Sequence, residues 1–290
     1  MANDVVAKRR KVEKLNLYDA FTHEPETLDF CLPGLLSGTI GALVAPGATG
    51  KTLWALQAAV TVAGGPDLLE LGPVPTGRVV CLSAEDPDAL LARRFHALGA
   101  YLSVAQRGTV VENLDIYPLL GCGADVMTPE WRDWIRDVTR RVRLVVLDTL
   151  RRFHQLDEND SGQMAKLLGY LESVCRDNAT TFLYLHHLSK AGAANSGTEQ
   201  QASRGSSVLT DNARLQMNMM VMSRKEAEEY GVDEKRRRYF VKLTYSKVNC
   251  CEPLPDCWYQ RQEGGVLRPA TLEKHPKLLA KRGNKDEAAY

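Results

Sequence analysis

Residues 39–52, TIGALVAPGATGKT, constrain the fold of this chain more than any other segment. An apolar run at 40–44 leads into a loop of small residues that ends in Gly-Lys-Thr at 50–52, and a helix-forming run follows at once. In this setting the loop amides and the N-terminus of the helix can hold a triphosphate. The pattern is a Walker A motif with one departure, because Ala45 stands where the first glycine is expected. Alanine is tolerable there if the position needs a small residue more than a left-handed backbone.

The strand before the loop and the helix after it favour a nucleotide site over a chance match of the short Gly-Lys-Thr string. Lys51 is predicted to reach the β- and γ-phosphates, and the hydroxyl of Thr52 is predicted to bind Mg²⁺. ATP and Mg²⁺ are therefore the expected cofactors. The residues expected to contact the nucleotide in the loop are Pro46, Gly47, Ala48, Thr49, Gly50, Lys51 and Thr52.

The composition is that of an ordinary globular protein, with 44% hydrophobic and 25% charged residues in 290 and a net charge of +1. Any contact with DNA must therefore come from local basic loops. No apolar run reaches the roughly 18 residues of a membrane span, and the N-terminus is polar, so a cytoplasmic protein without a membrane partner is expected. The seven cysteines form no C-x-x-C pair, which favours reduced thiols, although Cys250, Cys251 and Cys257 leave a metal or redox site open.

Strand-like and helix-like runs alternate after residue 39, which predicts an α/β fold with a mostly parallel twisted sheet flanked by helices. Strands are predicted at 40–44, 78–82, 144–147, 181–185 and 215–222. Helices are predicted at 51–63, 87–99, 129–141, 161–177 and 224–230. Antiparallel strands at the C-terminal edge are predicted at 238–245, 256–260 and 265–268. We expect an N-terminal arm at 1–30, one domain at 31–271 and a charged tail at 272–290.

Two predicted strands end in carboxylates. One apolar strand ends in Asp148, a Walker B pattern, and this side chain is predicted to bind Mg²⁺. Thr149 follows it, so the group that activates water is not the adjacent residue. The strand at 78–82 runs into Glu85 and Asp86, and the carboxyl ends of parallel strands share one edge of the sheet. Glu85 is the predicted general base, with Asp86 as its substitute; capping of the next helix is the alternative role.

Six further segments carry a family resemblance. They are AGGPDLLE (63–70), AEDP (84–87), HALGA (96–100), VLDTLRRFH (146–154), LHH (185–187) and QQASRGSSVL (200–209). With the P-loop and the carboxylates, they resemble the RecA/DnaB ATPase core, and more specifically the RepA-type hexameric replicative helicases of broad-host-range plasmids. The likeness covers roughly residues 28–270.

The resemblance implies an ATP hydrolase that forms a ring, translocates on single-stranded DNA and unwinds duplexes in plasmid replication. It also implies six subunits and movement from 5′ to 3′, with a plasmid initiator and a primase as candidate partners. A RecA-like recombinase filament or a regulatory ATPase is the alternative. A small-molecule kinase would need an arginine-rich lid, and the loop after His187 carries a single lysine.

The resemblance also assigns roles to residues at the nucleotide site. His187 matches a polar sensor of the γ-phosphate, whereas its position at a strand end would equally suit a core histidine or a metal ligand. Arg214 matches the arginine finger that enters the neighbouring subunit's site. Arg94 and Lys247 match positions near the ATP interface, and solvated or structural roles are open for both.

For DNA, the segment 188–203 resembles the second DNA-binding loop of this family, and 153–163 resembles the first. Lys190 and Arg204 flank the longer loop, which carries no aromatic residue. Phe153 is therefore the one candidate for stacking on a base. Few basic residues per subunit suffice if several subunits line one channel.

Overall fold

The computed structural model describes residues 14–187 and 208–274. The strands are β1 (Phe30–Leu32), β2 (Leu35–Leu36), β3 (Ile40–Ala45), β4 (Val79–Ser83), β5 (Leu114–Pro118), β6 (Leu144–Asp148), β7 (Thr181–His187), β8 (Leu215–Val221), β9 (Phe240–Val248), β10 (Cys257–Arg261) and β11 (Leu267–Pro269). The helices are α1 (Leu17–Thr22), α2 (Lys51–Val62), α3 (Asp88–Gly99), α4 (Val104–Asn113), α5 (Pro129–Val138), α6 (Ser161–Asn178), α7 (Val208–Asp211) and α8 (Arg224–Tyr230). Short 3₁₀ turns lie at Leu150–Phe153, Arg237–Tyr239 and Glu263–Gly265.

The core is a nine-stranded sheet with the order β11-β10-β9-β8-β3-β7-β6-β4-β5. From β8 to β5 every neighbouring pair is parallel. From β8 to β11 every pair is antiparallel, which places the antiparallel strands at the C-terminal edge. The predicted fold class, a RecA-like α/β core with an antiparallel C-terminal edge, is confirmed.

Helices cover both faces of the sheet, which explains why its central strands are buried along their whole length. Neighbouring residues of β3 fall into different apolar clusters: Leu43 packs with Trp54 of α2 on one face, and Val44 packs with Leu168 of α6 on the other. Because successive strand side chains point to opposite faces, β3 lies between the two helical layers. The loop that follows β3 therefore leaves a rigid strand.

A buried glutamine fastens the C-terminal hairpin to the helix that follows the P-loop. Gln57 of α2 donates from Nε2 to the carbonyl of Leu267 and accepts from the amide of Leu267, both at 2.8 Å. The turn before β11 also lies close to α3, because a Cβ added at Gly264 would come within 2.4 Å of the Cβ of Ala97. These contacts hold the end of β10 against the nucleotide loop, far from it in sequence.

The remaining features lie away from the sheet. No residue of α1 is buried against the rest of the chain. All seven cysteines are free, and the described residues contain no cluster of three or more His, Cys, Asp or Glu side chains arranged to hold a metal ion. Within 14–187 and 208–274, none of the helices has the length and apolar character that crossing a membrane requires.

Candidate functional site

The loop between β3 and α2 has the backbone of a phosphate cradle. Ala48 and Gly50 have positive φ angles of 60° and 103°, a geometry that turns successive amides toward one point. Ala45 is instead the last residue of β3 and fully buried, so its position calls for a small side chain without a left-handed backbone. Lys51 is 6% exposed, and its Nζ donates to the carbonyls of Ala45 and Pro46 at 3.2 Å.

A chain of hydrogen bonds connects the P-loop lysine to the predicted base. Nζ of Lys51 lies 3.4 Å from Nδ1 of His187, and Nε2 of His187 lies 3.3 Å from Oε1 of Glu85. The hydroxyl of Thr149 donates to the same oxygen of Glu85 at 3.0 Å. These residues come from α2, from the end of β7 and from the segments after β4 and β6. The structure thus brings them together at the carboxyl edge of the sheet.

The chemistry of the partners fixes the hydrogen-bonding roles of the imidazole. An ammonium group only donates, and a carboxylate only accepts. Nδ1 of His187 therefore accepts from Lys51, and its Nε2–H donates to Glu85. The bond from His187, together with that from Thr149, holds the pKa of Glu85 below its ordinary value against the opposing effect of burial. Glu85 is consequently ionised at neutral pH, as a group that accepts a proton from water must be.

Asp148 lies at the end of β6, opposite Ser83 of β4 in the parallel register. It is 4% exposed, and neither of its carboxylate oxygens has a hydrogen bond of good geometry. Burial raises its pKa to about 6, with the Thr52 hydroxyl acting in the opposite direction. Two buried oxygens without partners beside a hydroxyl are the hard oxygen ligands that Mg²⁺ takes. Thr52 and Asp148 therefore fit the predicted Mg²⁺ site.

Asparagine at position 148 is expected to change the pH dependence of stability. The folded chain keeps the Asp148 proton up to about pH 6, whereas the unfolded chain releases it near the ordinary pKa of 3.8. This contribution to the free energy of unfolding is full at low pH and is lost as pH rises through about 6. Without Mg²⁺, Asp148→Asn should therefore gain about 2 to 3 kcal/mol relative to the wild type between pH 4 and pH 7. Urea unfolding at both pH values measures this difference.

The matched control is Asp137→Asn, because the Asp137 side chain is 73% exposed and should follow the wild type at both pH values. Adding ATP and Mg²⁺ should stabilise the wild type more than Asp148→Asn, because the variant loses a metal ligand. Parallel stability profiles for Asp148→Asn and the wild type would rule out the raised pKa of this buried carboxylate.

A cleft of about 1270 Å³ opens beside the loop and runs between α3 and the turn before β11. Arg94 of α3 lines it and forms a 2.9 Å ion pair with Asp86. Burial raises the pKa of Asp86, with Glu85 adding to the effect and Arg94 opposing it. Asp86 is thus engaged with Arg94, whereas Glu85 is engaged with the P-loop lysine through His187.

The predicted residues Arg214 and Lys247 lie elsewhere. Arg214 is exposed at the start of β8, and its backbone is held by bonds to Ile40 and Asn249. Lys247 lies on β9 opposite Gln216. Neither side chain lines the cleft of its own chain as far as the described residues show it. Their roles at a nucleotide site stay predictions that require a second subunit.

The predicted DNA contacts are less accessible to description. Lys190 and Arg204, with the segment 188–203, lie outside the described residues. Phe153 ends the 3₁₀ turn after β6, is 0% exposed and belongs to the apolar cluster beneath α6. A ring buried in the core offers no face to a base, so its position favours packing over the predicted stacking on DNA.

Arg261, at the end of β10, is a residue of this site that the sequence analysis did not select. Its Nη2 donates to the carbonyl of Ala48 at 2.9 Å and to that of Thr49 at 2.5 Å. The contact spans 213 positions in sequence, so no local pattern could have indicated it. A basic residue at the end of a strand near the C-terminal turn was the sole available signal.

A parallel sheet with a Walker A loop, a buried Walker B aspartate and a glutamate from the adjacent strand defines a nucleotide-binding P-loop protein with a RecA-like core. Residues 7–193 match the family model described as AAA domain, and the chain belongs to that family. Among solved structures, it is similar to the ATPase domain of a helicase, with a TM-score of 0.57 and 15% identity over 83% of this chain and 88% of that one. At this identity the likeness concerns the fold.

Proposed function

We propose that this protein is an ATP-driven helicase of the RepA type, which forms a ring, moves along single-stranded DNA and unwinds duplexes during plasmid replication. The segments that resemble RepA-type helicases support the assignment, as do the AAA domain family and the fold shared with the solved helicase ATPase domain. The same resemblance supports six subunits, 5′ to 3′ movement, and a plasmid initiator and a primase as partners.

The observation that carries the proposal is the hydrogen-bonded chain from Lys51 through His187 to Glu85. In a protein that only binds nucleotide, the phosphate-binding lysine needs no connection to a carboxylate at another strand end. Here the connection passes through the last residue of β7, directly before the segment 188–203. A signal of the nucleotide state would therefore leave the site where the predicted DNA loop begins.

Hydrolysis would use these groups in separate roles. Lys51 and the loop amides would hold the phosphates, and Glu85 would orient the attacking water and accept its proton. Thr52 and Asp148 would hold Mg²⁺, whose charge offsets the charge that builds up on the phosphate oxygens. Arg214 from the neighbouring subunit would complete the site, because the transferred phosphoryl group gains most from a cation in the transition state.

Coupling would depend on His187. A γ-phosphate near Lys51 competes with Nδ1 of His187 for the ammonium protons. Loss of that bond would free the imidazole to turn toward the phosphate and would alter its bond to Glu85. Because His187 ends β7, such a movement would shift the chain that follows it. Each hydrolysis event would in this way move one DNA loop along the strand.

Unwinding of a forked DNA duplex tests the proposal. The wild type should separate the strands with ATP and Mg²⁺, and single-stranded DNA should raise its ATP turnover. Lys51→Ala should lose both activities, since it removes the phosphate ligand, while keeping the fold by circular dichroism. Lys166→Ala, an exposed lysine on α6, should behave as the wild type. ATP hydrolysis with DNA binding but without strand separation would instead identify a recombinase or a regulatory ATPase. Native mass with ATP tests the ring.

A further inference from the structure

Arg261 lies at the edge of the nucleotide cleft and touches the loop that would hold the phosphates. Nη2 is the atom that bonds to the carbonyls of Ala48 and Thr49, and a Cβ added at Gly50 would lie 3.7 Å from the same nitrogen. The side chain lines the cleft together with Lys51 and Thr52. A guanidinium is therefore already within reach of the place where a triphosphate binds.

The position of Arg261 is fixed from outside the loop. The two bonds between Gln57 and Leu267 hold β11 on α2, and β11 pairs with β10 so that Leu267 lies opposite Arg261. The hydroxyl of Tyr259 adds a bond to the carbonyl of Leu69 at 3.3 Å. Arg261 thus stands on a strand that is clamped to the P-loop helix of the same subunit, which gives its side chain a defined origin.

The charge of Arg261 is only partly compensated. Burial lowers its pKa, and its Nε is buried without a hydrogen-bond partner. No carboxylate of residues 14–187 or 208–274 forms an ion pair with it, whereas Arg94, which lines the same cleft, has one. Two carbonyl dipoles do not neutralise a full charge. A desolvated cation without a counter-ion beside a phosphate loop is suited to an anion that arrives with the ligand.

We propose that Arg261 is a nucleotide ligand supplied by the subunit that owns the P-loop, and that its charge binds the polyphosphate of ATP or ADP. The inference rests on the proposed function for its nucleotide. It adds to that function a cation in cis, distinct from the predicted trans finger Arg214. The loop carbonyls hold the guanidinium at the entrance, and the phosphates supply the charge that the protein lacks there.

Two substitutions separate charge from simple bracing of the loop. Lysine and glutamine both donate hydrogen bonds to carbonyls, but only lysine is charged. Titration of the full chain with ATP, ADP and AMP in the presence of Mg²⁺ measures the effect. Arg261→Gln should bind ATP and ADP about 10- to 100-fold more weakly than the wild type, the loss of one charge-assisted bond, and AMP with little change. Arg261→Lys should recover much of the lost affinity.

Arg268→Gln is the matched control, because Arg268 lies on β11 of the same hairpin and does not line the cleft; it should bind ATP as the wild type does. Equal ATP affinity for Arg261→Gln and Arg261→Lys would reduce Arg261 to a brace and overturn the inference. An equal loss for AMP, ADP and ATP would do the same. Failure of the wild type itself to bind ATP would remove the proposed function, whereas normal binding by the wild type and by Arg261→Gln would remove only the role of Arg261.

Discussion

Glutamine at position 85 is expected to lower ATP turnover by about 100- to 10,000-fold and to leave ATP affinity nearly unchanged. The amide oxygen of glutamine can still accept the bonds that Thr149 and His187 donate to Oε1 of Glu85, so the local geometry should persist. An amide cannot accept a proton from the attacking water, however. The variant should therefore fail in the chemical step alone, which single-turnover hydrolysis and equilibrium ATP titration together measure.

Asp86→Asn is the informative comparison, because this neighbouring carboxylate is the substitute base in the sequence analysis. Its ion pair with Arg94 at 2.9 Å turns it toward α3, and turnover should fall far less than in Glu85→Gln. A large loss in Asp86→Asn with turnover retained in Glu85→Gln would reverse the two assignments. Loss of ATP binding in Glu85→Gln would show that the residue holds the loop rather than acting on water.

The part of the fold that surrounds the nucleotide loop follows from local sequence patterns. Apolar runs of strand length, each followed by a helical run, predict the parallel strands to within a few residues because helices cover both faces of the sheet. The elements that escaped prediction are α4 and β5. β5 is half-exposed along most of its length, so it carries no apolar run. A capping box from Ser103 to Gln106 does open α4 and was available as a signal.

The candidate site divides in the same way. Lys51, Glu85, Asp148 and His187 could be selected because each follows a strand whose carboxyl end lies at one edge of the sheet. The hydrogen bonds that join three of them could not be predicted, since they depend on side-chain rotamers across strands distant in sequence. Phe153 shows the reverse problem: an aromatic residue in a predicted loop suits stacking on DNA as well as packing, and only burial distinguishes the two.

Alanine at position 214 is expected to lower ATP turnover by about 1,000-fold or more, the range found for an arginine that stabilises the transferred phosphoryl group. The Arg214 side chain is exposed at the start of β8 and does not line the cleft of its own subunit in the part of the chain that the structure describes. A cation in this position can act only on a neighbour. Arg214→Ala should therefore bind ATP and assemble normally, which ATP titration and native mass check beside steady-state hydrolysis.

Mixing variants separates a trans role from a structural one. Arg214→Ala subunits keep an intact P-loop, and Lys51→Ala subunits keep Arg214, so each is inactive alone for a different reason. In a mixed ring, a Lys51→Ala subunit can supply its arginine to the nucleotide site of an Arg214→Ala neighbour, and turnover should return at those interfaces. Arg140→Ala is the control for loss of an exposed arginine, since that side chain is 72% exposed just after the end of α5; its turnover should match the wild type. Normal turnover by Arg214→Ala alone would exclude it as the finger and make Arg204, the next arginine considered from the sequence, the residue to replace. Inactive mixtures of assembled variants would instead place the effect of Arg214 within its own subunit.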